Sequence, residues 1–306
     1  LRLMMRTTLD FMRPLGKINN IEHSMVARQV AIEGVVLLKN KDNFFPLNTT
    51  QKLTIAVIGE NAVKSMTTGG GSSELKANYE ISPLEGIQKR FKNASIIFSK
   101  GYTSEDTNQS RKSLINEALV TASMADVVLF FGGLNKNRGQ DCEAADREEL
   151  KLPYNQDYLI AELQKVNPNI GVVLVSGNAV SMPWIYDVKT VFQAWYLGSE
   201  AGNAIADIIS GDSNPSGKLP FSFPVKLSDN SAHFFGELSY PGDGETQYYK
   251  DDILVGYRWH DTKNIRPLFS FGHGLSYSSF EIIDIKSDKK IYVASDSINI
   301  TYKLKN

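Results

Sequence analysis

Apolar residues along this chain gather in short continuous runs that end at glycine, separated by stretches with the three-to-four spacing of helices. LTIAVIGENA breaks at Gly59, and ASIIFSKG from Ala94, ADVVLFFGG from Ala125 and IGVVLVSGNAV from Ile170 repeat the form. Such a run is what a strand covered on both faces needs, because neither side of its pleat meets water. SPLEGIQKRF and NQDYLIAELQKV lie between them with helical periodicity, so the alternation predicts an α/β fold, a parallel or mostly parallel sheet sandwiched by helices. A fifth run, TVFQAWYLG, precedes EAGNAIADIISG, a further strand and helix ending at Gly211. One α/β sandwich is therefore expected from 27 to 225.

The flanks read differently. In LRLMMRTTL, Leu1, Met4, Met5 and Leu9 fall at helical spacing with no capping residue ahead of them, which reads as the end of an amphipathic helix cut from something longer. HSMVARQVAIEGVVLLKN carries Met25, Val26, Ile32, Val35 and Val36, a helix passing into a buried apolar stretch. Beyond NPSGKLPFSFP, residues 226–280 are rich in Gly, Pro and Tyr and are expected to form a long ordered loop region that is functional or packs over a neighbouring domain. Residues 281–306 alternate apolar and polar positions as half-buried antiparallel strands do, and stop before a β-sandwich could form.

Composition narrows the function. At 306 residues, 42% hydrophobic and 22% charged, the chain sits near the globular average. With 33 Lys and Arg against 34 Asp and Glu it lacks the basic field that holds nucleic acid or anionic lipid. The lone Cys142 forms no internal disulfide, and His23, His233, His260 and His273 show no ligand spacing, so no metal is expected. No apolar run approaches the roughly 20 residues of a membrane span. VIGENAV lacks the G-x-G-x-x-G spacing of dinucleotide sites. GDSNPSGKL has one residue too many before Gly217 for a phosphate loop, and Leu219 where Ser or Thr belongs, so no nucleotide cofactor is expected.

Two strings retain chemistry. TTGGGSS, from Thr67 to Ser73, lets a backbone approach a ligand closely, with hydroxyls beside it; a plain flexible loop reads equally well. In LNKNRGQDCEAADREELKLP, Asp141, Glu143, Asp146, Arg147, Glu148 and Glu149 follow a strand at its carboxyl end, where open α/β sheets place function. A carboxyl group there could donate a proton, or the cluster is a solvated charge run with Asp146 and Arg147 as a local pair. The aromatic residues from Tyr240 to Phe280 suit sugar stacking but more often pack an interface. His273, between two glycines, reads as a hydrogen-bonded loop residue and Cys142 as a bystander.

Taken in order, ARQVAIEGVVLLKN with FPL, IAVIGENA, GGGSS with ISPLEGI, DREELKLPYNQDYLI, NPSGKLPFSFP, ILVGYRWHD and PLFSFGHGLSYSSF resemble the second domain and tail of glycoside hydrolase family 3, over roughly residues 27–280. The resemblance implies an exo-acting, retaining β-glucosidase or β-xylosidase, with a β-linked oligosaccharide or glycoside as partner. It also implies an (α/β)8 barrel carrying the aspartate nucleophile in a Ser-Asp-aromatic string. No such string occurs here, so the barrel is expected to be absent, residues 1–26 to be its exit linker helix, and 281–306 to resemble the truncated opening of a fibronectin type III-like domain.

By the same resemblance the acid/base falls on Glu143 in CEAADREELKLP, with Asp141 as reserve candidate. Gly70, Gly71, Ser72 and Ser73 are expected to help close the sugar site, and Glu148 and Glu149 to form the solvated first turn of the next helix. The chain is expected to be inactive alone, and the family's compartments imply a periplasmic or secreted protein. The alternative is a non-catalytic sugar-binding or assembly module completing another chain's active site; a nucleotide-dependent enzyme is the weaker rival.

Overall fold

The computed structural model describes residues 12, 16–17, 20–64, 66–105, 109–145 and 147–306. The helical reading of Leu1 to Leu9 lies outside the described residues. The first described helix, α1 (Ile21–Gly34), is capped by Asn20, whose side chain accepts from the His23 N–H, and it runs across the expected boundary at 26. Of its apolar positions Ala31 and Ile32 are buried, whereas Met25 and Val26 are 66% and 62% exposed, so that stripe is not core.

The chain then supplies β1 (Val36–Asn40), β2 (Thr54–Ile58), α2 (Pro83–Arg90), β3 (Ser95–Ser99), α3 (Arg111–Ser123), β4 (Val127–Gly133), α4 (Gln156–Val166), β5 (Ile170–Val175), β6 (Thr190–Gln193) and α5 (Ala201–Ser210). The six strands form one sheet in the order β1-β6-β5-β4-β2-β3, in which only β1 is antiparallel to its neighbour. Local chemistry supports the boundaries: Ser82 and Glu85 close a capping box at α2 with Pro83 in its first turn, and Ser110 caps α3.

Side chains alternate across the sheet into two cores. Val128 and Phe130 of β4 face Ala118, Leu159 and Leu163 from α3 and α4; Val127, Leu129 and Phe131 face Ile32, Ile87, Ile205 and Ile209 from α1, α2 and α5. The mostly parallel sheet with helices on both faces is thus as expected. β3 departs from the reading of buried strands: it is the edge strand, and Phe98 is 36% exposed.

After 225 come short helices, α6 (Ser231–Phe234) and α7 (Tyr257–Lys263), in an otherwise irregular segment, followed by β7 (Glu281–Ser287) and β8 (Ile300–Lys305). β7 and β8 pair antiparallel, but both are exposed nearly throughout, so the alternation there marks no buried face. His273 is held in its loop by a 2.8 Å hydrogen bond between Nε2 and the Leu38 carbonyl. Among the described residues no helix is long and apolar enough to cross a membrane, and no group of three His, Cys, Asp or Glu residues could hold a metal ion.

Candidate active site

β2 lies between β3 and β4, so the chain leaves β2 toward one side of the sheet and returns on the other. The carboxyl ends of β2 and β4 flank that switch of direction, where α/β sheets open a crevice between diverging loops. The GGGSS string lies on the loop after β2, and Cys142 to Ala145 on the loop after β4.

The base of the second loop is rigid. Gly133 has φ +120°, and a Cβ there would fall 2.1 Å from the Val175 carbonyl oxygen, so the strand end presses against β5. Buried Gln156 clamps the same residue, accepting from its N–H and donating to its carbonyl, both at 2.8 Å. Further out, Asn135 N–H donates to Gln140 Oε1 at 3.0 Å, and Gln140 Nε2 donates to the Tyr154 hydroxyl at 2.6 Å.

Above this base the two loops interlock. Gly70 and Cys142 form an isolated parallel bridge, and the Gly70 N–H donates to the Asp141 carbonyl at 2.8 Å. Gly71 has φ +82°, and a Cβ on it would lie 2.4 Å from Cβ of Glu143. The glycines thus make room for the acidic loop itself. Ser73 Oγ turns inward to the Gly70 carbonyl at 3.3 Å. Of the four residues expected to help close the sugar site, Gly71 and Ser72 are brought against Glu143, whereas Gly70 meets Cys142 and Ser73 turns back onto Gly70.

Glu143 is exposed, and its Oε2 accepts the Ser72 N–H at 2.8 Å. The Ser72 side chain and then its N–H hold the carboxyl below the usual glutamate range, because both favour the ionised form. Asp141 is turned the other way. Its Oδ2 accepts the Gly177 N–H at 2.7 Å and the Tyr196 hydroxyl at 2.8 Å, from the loops after β5 and β6. Burial, and then the Asp141 carboxylate, push the Tyr196 phenol far above its ordinary value, so it stays a donor. Burial pulls the Arg147 guanidinium down while Asp141 opposes that pull; its Nη2 donates to the Ala179 carbonyl at 2.8 Å.

The result is an open bowl walled by Gly69, Ser72, Asp141, Glu143, Gly177 and Tyr196. Glu148 and Glu149 are exposed but do not form a helical turn, since α4 begins only at Gln156. Asp146 lies outside the described residues, so its pairing with Arg147 does too. Cys142 is a free thiol at the rim. Tyr196 and Gly177 escaped sequence reasoning, although each follows a strand by a few residues at its carboxyl end, which is the signal that could have found them.

Residues 35–277 match the family model described as the glycosyl hydrolase family 3 C-terminal domain. Beta-glucosidase BoGH3A of Bacteroides ovatus is 46% identical over all of this chain, which covers 43% of that protein. Thermostable beta-glucosidase B of Acetivibrio thermocellus is 42% identical over 93% of this chain and 37% of its own length. The chain thus spans less than half of either relative. Among solved structures, the Bifidobacterium adolescentis GH3 beta-glucosidase superposes with a TM-score of 0.84 at 33% identity, over 99% of this chain and 43% of that one.

Proposed function

The chain belongs to glycoside hydrolase family 3, and from that premise we propose that it supplies the acid/base half of a retaining, exo-acting β-glucosidase site, with Glu143 as the proton donor and acceptor. The observation that carries this reading is the placement of Glu143: an exposed carboxylate, docked on Ser72, on the wall of an open bowl at the carboxyl edge of the sheet.

Retaining hydrolysis needs a second carboxylate about 5–5.5 Å from the first, on the opposite side of the anomeric carbon. The (α/β)8 barrel that the family resemblance implies would be the source of that nucleophile. In the bowl as it stands, the Ser72 donors favour the carboxylate form of Glu143, which suits a base. A like charge brought close penalises that form and raises the affinity for a proton. Paired with an ionised nucleophile, Glu143 would hold its proton and deliver it to the leaving oxygen. Once the nucleophile is esterified by the sugar its charge is gone, the Ser72 hydrogen bond again dominates, and Glu143 can take a proton from water.

Beta-glucosides are the proposed substrates because the two relatives above are named for them, with β-xylosides as the comparison. The test replaces the matching segment of the Bacteroides ovatus enzyme by this chain. The chimera should cleave aryl β-glucosides and cellobiose, the chain alone should not exceed a boiled control, and Glu143→Gln should cripple the chimera on cellobiose. An active chimera indifferent to Glu143→Gln would leave the chain as a non-catalytic module. Turnover by the chain alone that survives repurification would mean that it holds a nucleophile of its own.

A further inference from the structure

Asp141 is two residues from Glu143 and makes more hydrogen bonds than its neighbour. Its backbone N–H donates to the Asn135 carbonyl at 3.1 Å, tying it to the foot of its own loop. Its carbonyl accepts the Gly70 N–H at 2.8 Å, tying it to the loop after β2. Its carboxylate accepts from Gly177 and Tyr196, tying it to the loops after β5 and β6. One residue thus joins the carboxyl ends of all four central strands, while Glu143 itself is held by the Ser72 N–H.

We propose that Asp141, gripped by the Tyr196 hydroxyl and the Gly177 N–H, is a positioning residue that seats the Glu143 loop on Gly70–Ser72, and that it is not a proton donor to substrate. Its Oδ2 receives two donors, the Gly177 N–H and the Tyr196 hydroxyl, from two different loops. Such a carboxylate acts as a fixed acceptor. Tyr196 is the partner with most leverage, since its phenol stays protonated and its ring packs beside Gly69 and Gly177, within 3.9 Å and 3.5 Å of where their side chains would begin. Arg147 is the nearby positive charge, and its Nη2 is engaged by the Ala179 carbonyl. A general acid held to a fraction of an ångström is what proton transfer at a hydrogen-bonded distance demands.

The proposal rests on Glu143 as the acid/base, but its test on the chain alone needs no turnover. The side-chain carboxyl of Glu143 is titrated by NMR, and hydrogen exchange is followed at the Ser72 amide, in the wild type, Asp141→Ala, Asp141→Asn and Tyr196→Phe. Releasing the tie should raise the Glu143 midpoint toward the ordinary glutamate value and speed Ser72 exchange by about tenfold or more. Asp141→Asn keeps an oxygen for both donors and should restore much of both. Tyr196→Phe removes a single hydroxyl and decides the matter if Asp141→Ala fails to fold. An unchanged Glu143 midpoint and unchanged Ser72 exchange in folded Tyr196→Phe and Asp141→Ala would overturn the proposal. A chimera indifferent to Glu143→Gln would instead sink the catalytic reading and leave the tie standing.

Discussion

Two glutamates stand past the carboxyl ends of neighbouring strands, Glu60 after β2 and Glu143 after β4, and both carboxyls lie below the usual range for different reasons. Glu60 is 1% exposed. Burial alone would raise it, but hydrogen bonds from Ser104 and Thr103, then the Ser104 N–H at 2.9 Å and the Lys64 charge, reverse that. Thr103 Oγ1 lies 2.7 Å from Oε1 and Lys64 Nζ 3.5 Å from Oε2. Glu143 is exposed, with Ser72 as its hydrogen-bond donor. A buried carboxylate whose oxygens are shared among several donors is part of the fold. One held from one side, with the other open to a bowl, is available to a substrate.

The largest effect expected from this contrast is on turnover. In the chimera, Glu143→Gln should cost 10²–10⁴-fold on cellobiose and alkyl glucosides, the range general acid–base catalysis provides. Aryl glucosides with acidic leaving groups should suffer least, and azide should restore their deglycosylation. Glu60→Gln should leave the azide response and leaving-group dependence of the wild type intact. Comparable loss from Glu60→Gln, with the same azide rescue, would break the comparison.

Next in size is stability, read by urea unfolding of the chain. Glu60→Ala removes the acceptor of the partly buried Thr103 hydroxyl and Ser104 N–H and should cost about 1–3 kcal/mol. Glu143→Ala should leave the unfolding midpoint where it was. Gly71→Ala comes third. A side chain at φ +82° costs about 1–2 kcal/mol, and this one also meets the Glu143 Cβ, so the loop must shift. A Gly71→Ala chain with wild-type stability and an unmoved Glu143 titration would show that the two loops do not interlock in solution.

The smallest effect is the acid limb of stability. A carboxyl lower in the folded than in the unfolded chain contributes stability that is full above its unfolded value, about 4.3 for Glu, and is lost as pH falls through the folded value. Glu60→Gln should therefore flatten the decline in stability below about pH 4. Glu143→Gln should flatten it far less, since water screens an exposed carboxylate. Equal flattening by both would erase the distinction between them.

The sheet was legible because its strands announce themselves by composition. Val127 to Phe131 and Val172 to Val175 are apolar without interruption, and a strand covered on both faces needs no further information to be recognised. β1 was harder, since VLLKN continues the apolar residues of α1 and pairs antiparallel with a strand some 150 residues away. The exposure of Met25 and Val26 was also invisible, because periodicity says which residues share a face and not what covers it.

By itself the sequence determined the α/β class and the glycine-ended strands, and through the family resemblance it offered Glu143 as the proposed acid/base. Tertiary structure alone decided that Gly71 makes room for Glu143, that Asp141 is held by Tyr196 and Gly177 in the wall of the bowl, and that Glu60 is buried where Glu143 is not. The division has a physical cause. Runs and periods are local properties of covalent neighbours, whereas a carboxylate's role depends on which donors the folded chain brings to it, and those of Asp141 come from loop residues 36 and 55 positions away.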